Sequence, residues 1–310
     1  MKVSKFFISN AIIYLSLFFV LDMEIPKLNS FSFIKSRLEK LFDKDNKINN
    51  NYNIALQSPD TLFKNFRLNK NISSFNFLNN GDNNKLINEN SRVLHIGDSH
   101  TVGYYGKEMD KLFRQTGAKV MTLGSSGSTP SSWLNGYVTK SGFRLIDETG
   151  KDRVPSELRI IDKDTERKLK NGQLKEWQIP TKTPNLNDLI SSFRPNVIVF
   201  SLGANLIHAD PNTIEKQVKE VCEIAKTSGA KIVWVGPPDG RPDKKPEHVQ
   251  NKLYEHIKKV VQEYGYFIDS RPYTDYPSSL GGDGVHFHGK KGEEISKKWS
   301  KNVFNEIQSK

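Results

Sequence analysis

Ser99, Gly127, Asn205, Asp283 and His286 are the residues of this 310-residue chain whose types and order best fit a single piece of chemistry. A serine hydroxyl is weakly acidic, so its attack on a carbonyl needs a base to take the proton as the new bond forms. Imidazole has an ordinary pKa near neutrality, which suits His286 to that role. Asp283, three residues earlier on the same stretch, can fix the imidazole tautomer and stabilise the imidazolium. The tetrahedral oxyanion then needs aimed donors, which the N–H groups of Ser99 and Gly127 and the side-chain amide of Asn205 can supply. Removing one such donor typically costs roughly 3 kcal/mol of barrier. The chemistry this set fits is acyl transfer.

Its members are far apart in sequence, so the elements between them must bring them together. An apolar strand over Arg92–Ile96 ends at Gly97-Asp98-Ser99, and Met109, Leu112 and Phe113 then recur at helical spacing. That turn puts Ser99 at the carboxyl edge of a sheet and at a helix N-terminus, which favours developing negative charge. A second strand, Ala118–Leu123, runs into the small-residue stretch from Gly124 through Gly127 to Trp133. Val197–Leu202 leads to Gly203-Ala204-Asn205, Ile232–Val235 to Gly236-Pro237-Pro238, and Tyr266–Asp269 to the loop bearing Asp283 and His286. Between them, Thr183 is expected to cap a helix beginning at Pro184, and Asp210-Pro211 opens a helix that buries Ile214, Val218, Val221, Cys222 and Ala225. Leu253, Ile257, Val260 and Val261 mark the next helix, and Ile295, Trp299 and Val303 the last. Strands alternating with helices in this way define an α/β fold, a three-layer sandwich whose parallel sheet is covered on both faces. All the strand ends then lie on one edge, where these loops converge.

Residues 135–182 break this rhythm. Phe143–Val154 reads as a β-hairpin about Gly150, and Leu158, Ile160 and Ile161 as a further short strand, making a small β-rich insertion. It is either part of a substrate wall or a structural elaboration. Trp133 either stacks on a sugar or closes its loop, and His288 is a rim residue within reach of substrate. His100 either meets a leaving group or only polar backbone, the second being favoured. His95 reads as an interior histidine, and Asp98 as a brace for the turn. His286 and His288 alternate, but without further ligands they make no metal site.

Lys2 and Lys5 precede an apolar run from Phe6 to Leu21, the pattern of an export signal or of an uncleaved membrane anchor over residues 1–25. Residues 26–90 read as an Asn-rich linker in which Phe33, Ile34, Leu38, Leu41 and Phe42 are expected to make one short amphipathic helix. The catalytic domain is expected over 91–310. A formal net charge of +11 admits an anionic partner such as an acidic envelope polymer or a membrane surface. The basic residues are scattered and no nucleic-acid motif accompanies them, so nucleic acid is not an expected partner. The single cysteine, Cys222, excludes an internal disulfide and is read as a buried small hydrophobe.

With these blocks in order, the chain resembles the SGNH (GDSL-like) hydrolase superfamily over about residues 92–310, the insertion excepted. The first family block matches Gly97-Asp98-Ser99 and the third matches Gly203-Ala204-Asn205. The fifth matches Asp283-Gly-Val-His286, and the second-block glycine falls best on Gly127, with Gly124 the alternative. The chain departs from the pattern at Thr122-Leu123-Gly124, where the family usually carries a polar residue such as Asn. The resemblance implies a flavodoxin-like, five-stranded parallel sheet and ester hydrolysis through an acylated Ser99, with no cofactor. In an exported protein it implies an acylated carbohydrate as substrate, with O-acetyl groups on an envelope or extracellular polymer foremost. Acetyl transfer between sugars, lipid ester or thioester hydrolysis, and glycan binding without catalysis stand as alternatives.

Overall fold

The structure, a computed structural model, describes residues 85–310. The expected export segment and nearly all of the Asn-rich linker lie outside the described residues. β1 (Arg92–Gly97) runs into α1 (Ser99–Val102) and α2 (Tyr104–Gln115), followed by β2 (Lys119–Ser125) and α3 (Ser132–Asn135). β3 (Val138–Thr139), β4 (Phe143–Ile146), α4 (Lys163–Lys170) and β5 (Thr181–Lys182) come next. The alternation then resumes with α5 (Leu186–Phe193), β6 (Val197–Ser201), α6 (Pro211–Thr227) and β7 (Lys231–Val235). It ends with α7 (Glu247–Val261), β8 (Tyr266–Ile268) and α8 (Gly289–Gln308).

The central sheet has the order β4-β2-β1-β6-β7-β8. The expected strands β2, β1, β6, β7 and β8 all run parallel, so their carboxyl ends share one edge. Alternate side chains face opposite ways, as the pleat requires. Leu94, Ile96, Ile198, Phe200, Ile232 and Trp234 point into one core beneath α5, α6 and α7. Val93, Val197, Val199, Val233 and Val235 point into the other, against Met109 and Phe113 of α2 and Trp299, Val303 and Ile307 of α8. Each such side chain taken fully out of water stabilises the fold by about 1.5–3 kcal/mol before entropy is subtracted. Leu86 and Ile87, on the linker side of the expected boundary, belong to this second core, and the backbone of Ile87 is clasped by the Gln308 side chain.

The insertion departs from expectation. The sheet has six strands rather than five, because Phe143–Ile146 adds antiparallel to β2. It pairs the backbone groups that an edge strand would otherwise leave open. The returning arm of the expected hairpin makes only a bridge at Asp152. Leu158 ends a 3₁₀ turn and Ile160 and Ile161 are exposed, and in place of the expected strand Arg159 makes an isolated bridge to Thr181. Helix α4 carries almost no apolar residues, so periodicity does not reveal it. Asp162 caps the Thr165 N–H at 2.7 Å, and Asp164 and Glu166 pair with Arg167, Lys168 and Lys170 along the helix. The cap of α5 is Asn185 rather than Thr183, whose hydroxyl instead donates to the Ser132 carbonyl at 2.8 Å.

Candidate active site

Asp98 is the N-cap of α1, accepting from the His100 N–H at 3.0 Å, and so sets Ser99 as the first residue of that helix. Buried almost completely, its carboxyl is pushed up to about 6 by desolvation, against the hydrogen bond from His100 and the charge of Lys245. The N–H at a first helical position has no intrahelical acceptor, which leaves it available to an anion. The Ser99 hydroxyl lies 2.7 Å from Nε2 of His286, 187 residues away. On the other side of the ring, Nδ1 of His286 lies 2.6 Å from Oδ2 of Asp283. The second Asp283 oxygen accepts from the backbone N–H groups of Val285 and His286 at 2.9 and 2.8 Å. Partial burial works to raise this carboxyl, but those hydrogen bonds outweigh it and hold the group well below the usual carboxylate range. Asp283 is therefore ionised at neutral pH and takes its proton donor from the ring.

The loops that carry these groups are joined by the residues between them. Ser128 is the link on one side: its carbonyl accepts from the Asn205 side-chain amide at 2.8 Å, and its hydroxyl reaches the Gly97 carbonyl at 3.5 Å. Gly127, just before it, lies beyond the end of β2 with φ +84°, a backbone conformation in which a side chain is strained. Gly124 lies within β2, where a Cβ would meet the backbone of Val102 at 2.6 Å, so its role is the close packing of α1 on the strand. The structure thus puts Gly127, and not Gly124, on the loop tied to Asn205. No hydrogen bond joins Gly127 or Asn205 to Ser99, and neither lines the cleft described below.

Sequence reasoning did not single out two further contributors. The Tyr276 hydroxyl binds the Gly281 and His286 carbonyls at 2.7 and 3.2 Å and accepts from the Gly284 N–H at 3.2 Å, clamping the loop that holds the acid and base. Lys245 is buried, donates to the Pro238 carbonyl at 3.0 Å, and is pushed down to about 8 by desolvation despite Asp98 and Asp239 nearby. A tyrosine in a polar loop and a lysine in a Lys-Lys-Pro run carry no signal of burial in the sequence. His95 is interior, as expected; it bonds the Ser201 hydroxyl at 3.0 Å, and burial pushes it down to about 3.

A cleft of about 320 Å³ opens beside Ser99 and His286. His100 and His288 line it. His100 is buried, its imidazole is driven well below its ordinary value by desolvation, and its Nε2 has no partner among the described residues. Trp133 does not line the cleft. It is fully buried in the core beneath α5 and α6, so of its two expected roles the stacking on a sugar is corrected to packing. Asp283, His286 and His288 bring three potential ligand atoms within 4.8 Å of one another, but two of those residues are already committed to the relay toward Ser99.

No family model matches the chain, and no curated protein matches it. Among solved structures it is similar to Axe2, an acetylxylan esterase from Geobacillus stearothermophilus, with 16% identity over 71% of this chain and 95% of that one and a TM-score of 0.43. It is also similar to TesA, with 14% identity over 69% of this chain and 96% of that one and a TM-score of 0.44. A GDSL-like lipase from Bacteroides thetaiotaomicron is similar at 13% identity, over 70% of this chain and 88% of that one, with a TM-score of 0.39. Identities this low, with TM-scores below 0.5, leave the chemistry to be read from this chain's own side chains.

Proposed function

We propose that this protein is an SGNH-type serine esterase that removes O-acetyl groups from a carbohydrate through an acyl-enzyme. The observation that carries the reading is the continuous relay from Asp283 through His286 to Ser99, with contacts of 2.6 and 2.7 Å. Ser99 Oγ attacks the ester carbonyl while Nε2 of His286 takes its proton, and Asp283 stabilises the imidazolium. The carbonyl oxygen becomes an oxyanion, for which the N–H groups of Ser99 and Gly127 and the free N–H of the Asn205 amide are the proposed donors. The tetrahedral intermediate collapses as the sugar oxygen leaves with the proton from His286. Water, deprotonated by the same ring, then attacks the acyl carbon and releases the acid and the free serine.

The modest volume of the cleft favours a short acyl group over a long one. The apolar run at residues 6–21 supports export, cleaved or tethered, and with it an envelope or extracellular polymer as substrate. The test is acetate release by the purified protein from p-nitrophenyl acetate and from acetylated polysaccharides, with Ser99→Ala as the control. Acetate appearing in water identifies an esterase. Acetate passing only to an added acceptor sugar identifies a transferase using the same residues. Polysaccharide binding with no turnover would replace the hydrolase reading with that of a glycan-binding protein.

A further inference from the structure

The cleft beside Ser99 has a cationic lining. Arg144 and Lys107 line it together with His100, His286 and His288, and no carboxylate does so among the described residues. Asp152 lies 3.5 Å from Nε of Arg144 and 3.8 Å from Nζ of Lys107, one carboxylate shared between two cations. The only hydrogen bond the Arg144 side chain makes among the described residues is from Nη1 to the Gly103 carbonyl, at 3.1 Å. Its planar fork therefore retains donors suited to a carboxylate. The side chain is only 16% exposed, and burial pushes the guanidinium below its ordinary value against the pull of Asp152 and Asp110. A partly desolvated cation with unused donors gains most when an anion joins it.

Position completes the case. The Gly103 N–H bonds the Ser99 carbonyl at 3.1 Å, so the backbone that Arg144 grips is one helical turn beyond the nucleophile. Tyr104, more than a third exposed, also lines the cleft and brings an aromatic ring to it.

Resting on the esterase reading, we infer that the substrate is an acidic polysaccharide, and that Arg144, flanked by Lys107, binds a sugar carboxylate in the cleft that Ser99 also lines. The experiment compares kcat/KM for acetate release from acetylated polygalacturonate with that from the same polymer after its carboxylates are methyl-esterified, at fixed ionic strength. The full chain is expected to prefer the carboxylate form by about tenfold or more. Arg144→Gln and Lys107→Gln are each expected to bring that ratio toward one, and Arg144→Lys to keep part of it. Equal rates on the two polymers, with p-nitrophenyl acetate still turned over, overturn this inference and leave the esterase reading standing. A preference undiminished in Arg144→Gln also overturns it, since the overall positive charge of the protein would then be the cause. No turnover of any ester overturns the esterase reading and this inference with it.

Discussion

The backbone N–H of Arg241 donates to the carbonyl of Gly284 at 2.8 Å, tying the loop after β7 to the loop that carries Asp283 and His286. Gly284 is boxed in from the same side, since a Cβ there would meet Lys244 at 2.8 Å and Arg241 at 3.1 Å. Two loops at adjacent strand ends thus hold one short segment, and the hydroxyl of Tyr276 holds it from within. The imidazole is positioned by this packing more than by its own helix, because α8 begins only at Gly289.

The relay makes the strongest claim on activity. Ser99→Ala and His286→Ala are each expected to lower kcat by about 10⁴-fold or more while the far-ultraviolet circular dichroism and the melting temperature stay near those of the parent. Asp283→Asn should retain more activity than either. Equal loss of turnover and of stability in Ser99→Ala would make the serine structural.

Asn205→Ala tests the proposed oxyanion donor. Loss of one preorganised donor is expected to reduce kcat by roughly 10²–10³-fold with little change in KM. Steady-state kinetics on p-nitrophenyl acetate check this. A rise in KM alone would assign Asn205 to holding the Ser128 loop and not to the transition state.

Tyr276→Phe removes one hydroxyl that serves three backbone groups. The expected cost is about 1–3 kcal/mol of stability, read as a lower midpoint in chemical denaturation. A fall of about tenfold in kcat should accompany it as the imidazole loses its fixed orientation. Lost stability with unchanged kcat would restrict the clamp to a structural role.

Asp98 gives a pH signature in stability. Its folded-state pKa is raised from 3.8 to about 6, so the native state holds a proton that the unfolded chain has released between those values. Stability from this group is complete below about pH 4 and declines as the pH rises through 6. In Asp98→Asn that decline is absent, so the variant's melting temperature should gain on the parent's by several degrees between pH 4.5 and 7.5, at about 1.4 kcal/mol per pKa unit. A constant difference across that range would contradict the assignment.

Trp133→Ala is expected to destabilise the protein by about 3–5 kcal/mol, as for other buried tryptophans. Trp133→Phe should fold and leave KM for acetylated polymers unchanged, which distinguishes a core residue from a sugar platform.

The α/β alternation was readable because buried parallel strands are continuous apolar runs and their helices keep an apolar stripe, as Val197–Phe200 and the Cys222 face do. Ser99, Asp283 and His286 were readable because their spacing pattern and turn residues are local. Trp133 was not, since small-residue loops carry aromatic side chains inward and outward with equal ease. The insertion is the least legible part: α4 is held by ion pairs and a cap rather than by apolar spacing, and β4 is defined by the open edge of β2, a partner the local sequence does not name. Tyr276, Lys245 and Arg144 owe their importance to what packs around them, which only the fold supplies.

β4 lies opposite β2 with Arg144 across from Gly124. In a pleated strand, neighbouring side chains emerge on opposite sides, so a shift of that alignment by a single residue would turn the guanidinium away and offer Leu145 in its place. Deleting or adding one residue in the short connection before Phe143 would therefore exchange a cationic wall for an aliphatic one while leaving the serine, histidine and aspartate untouched. A change in what the cleft grips would then require no change in the relay beside it.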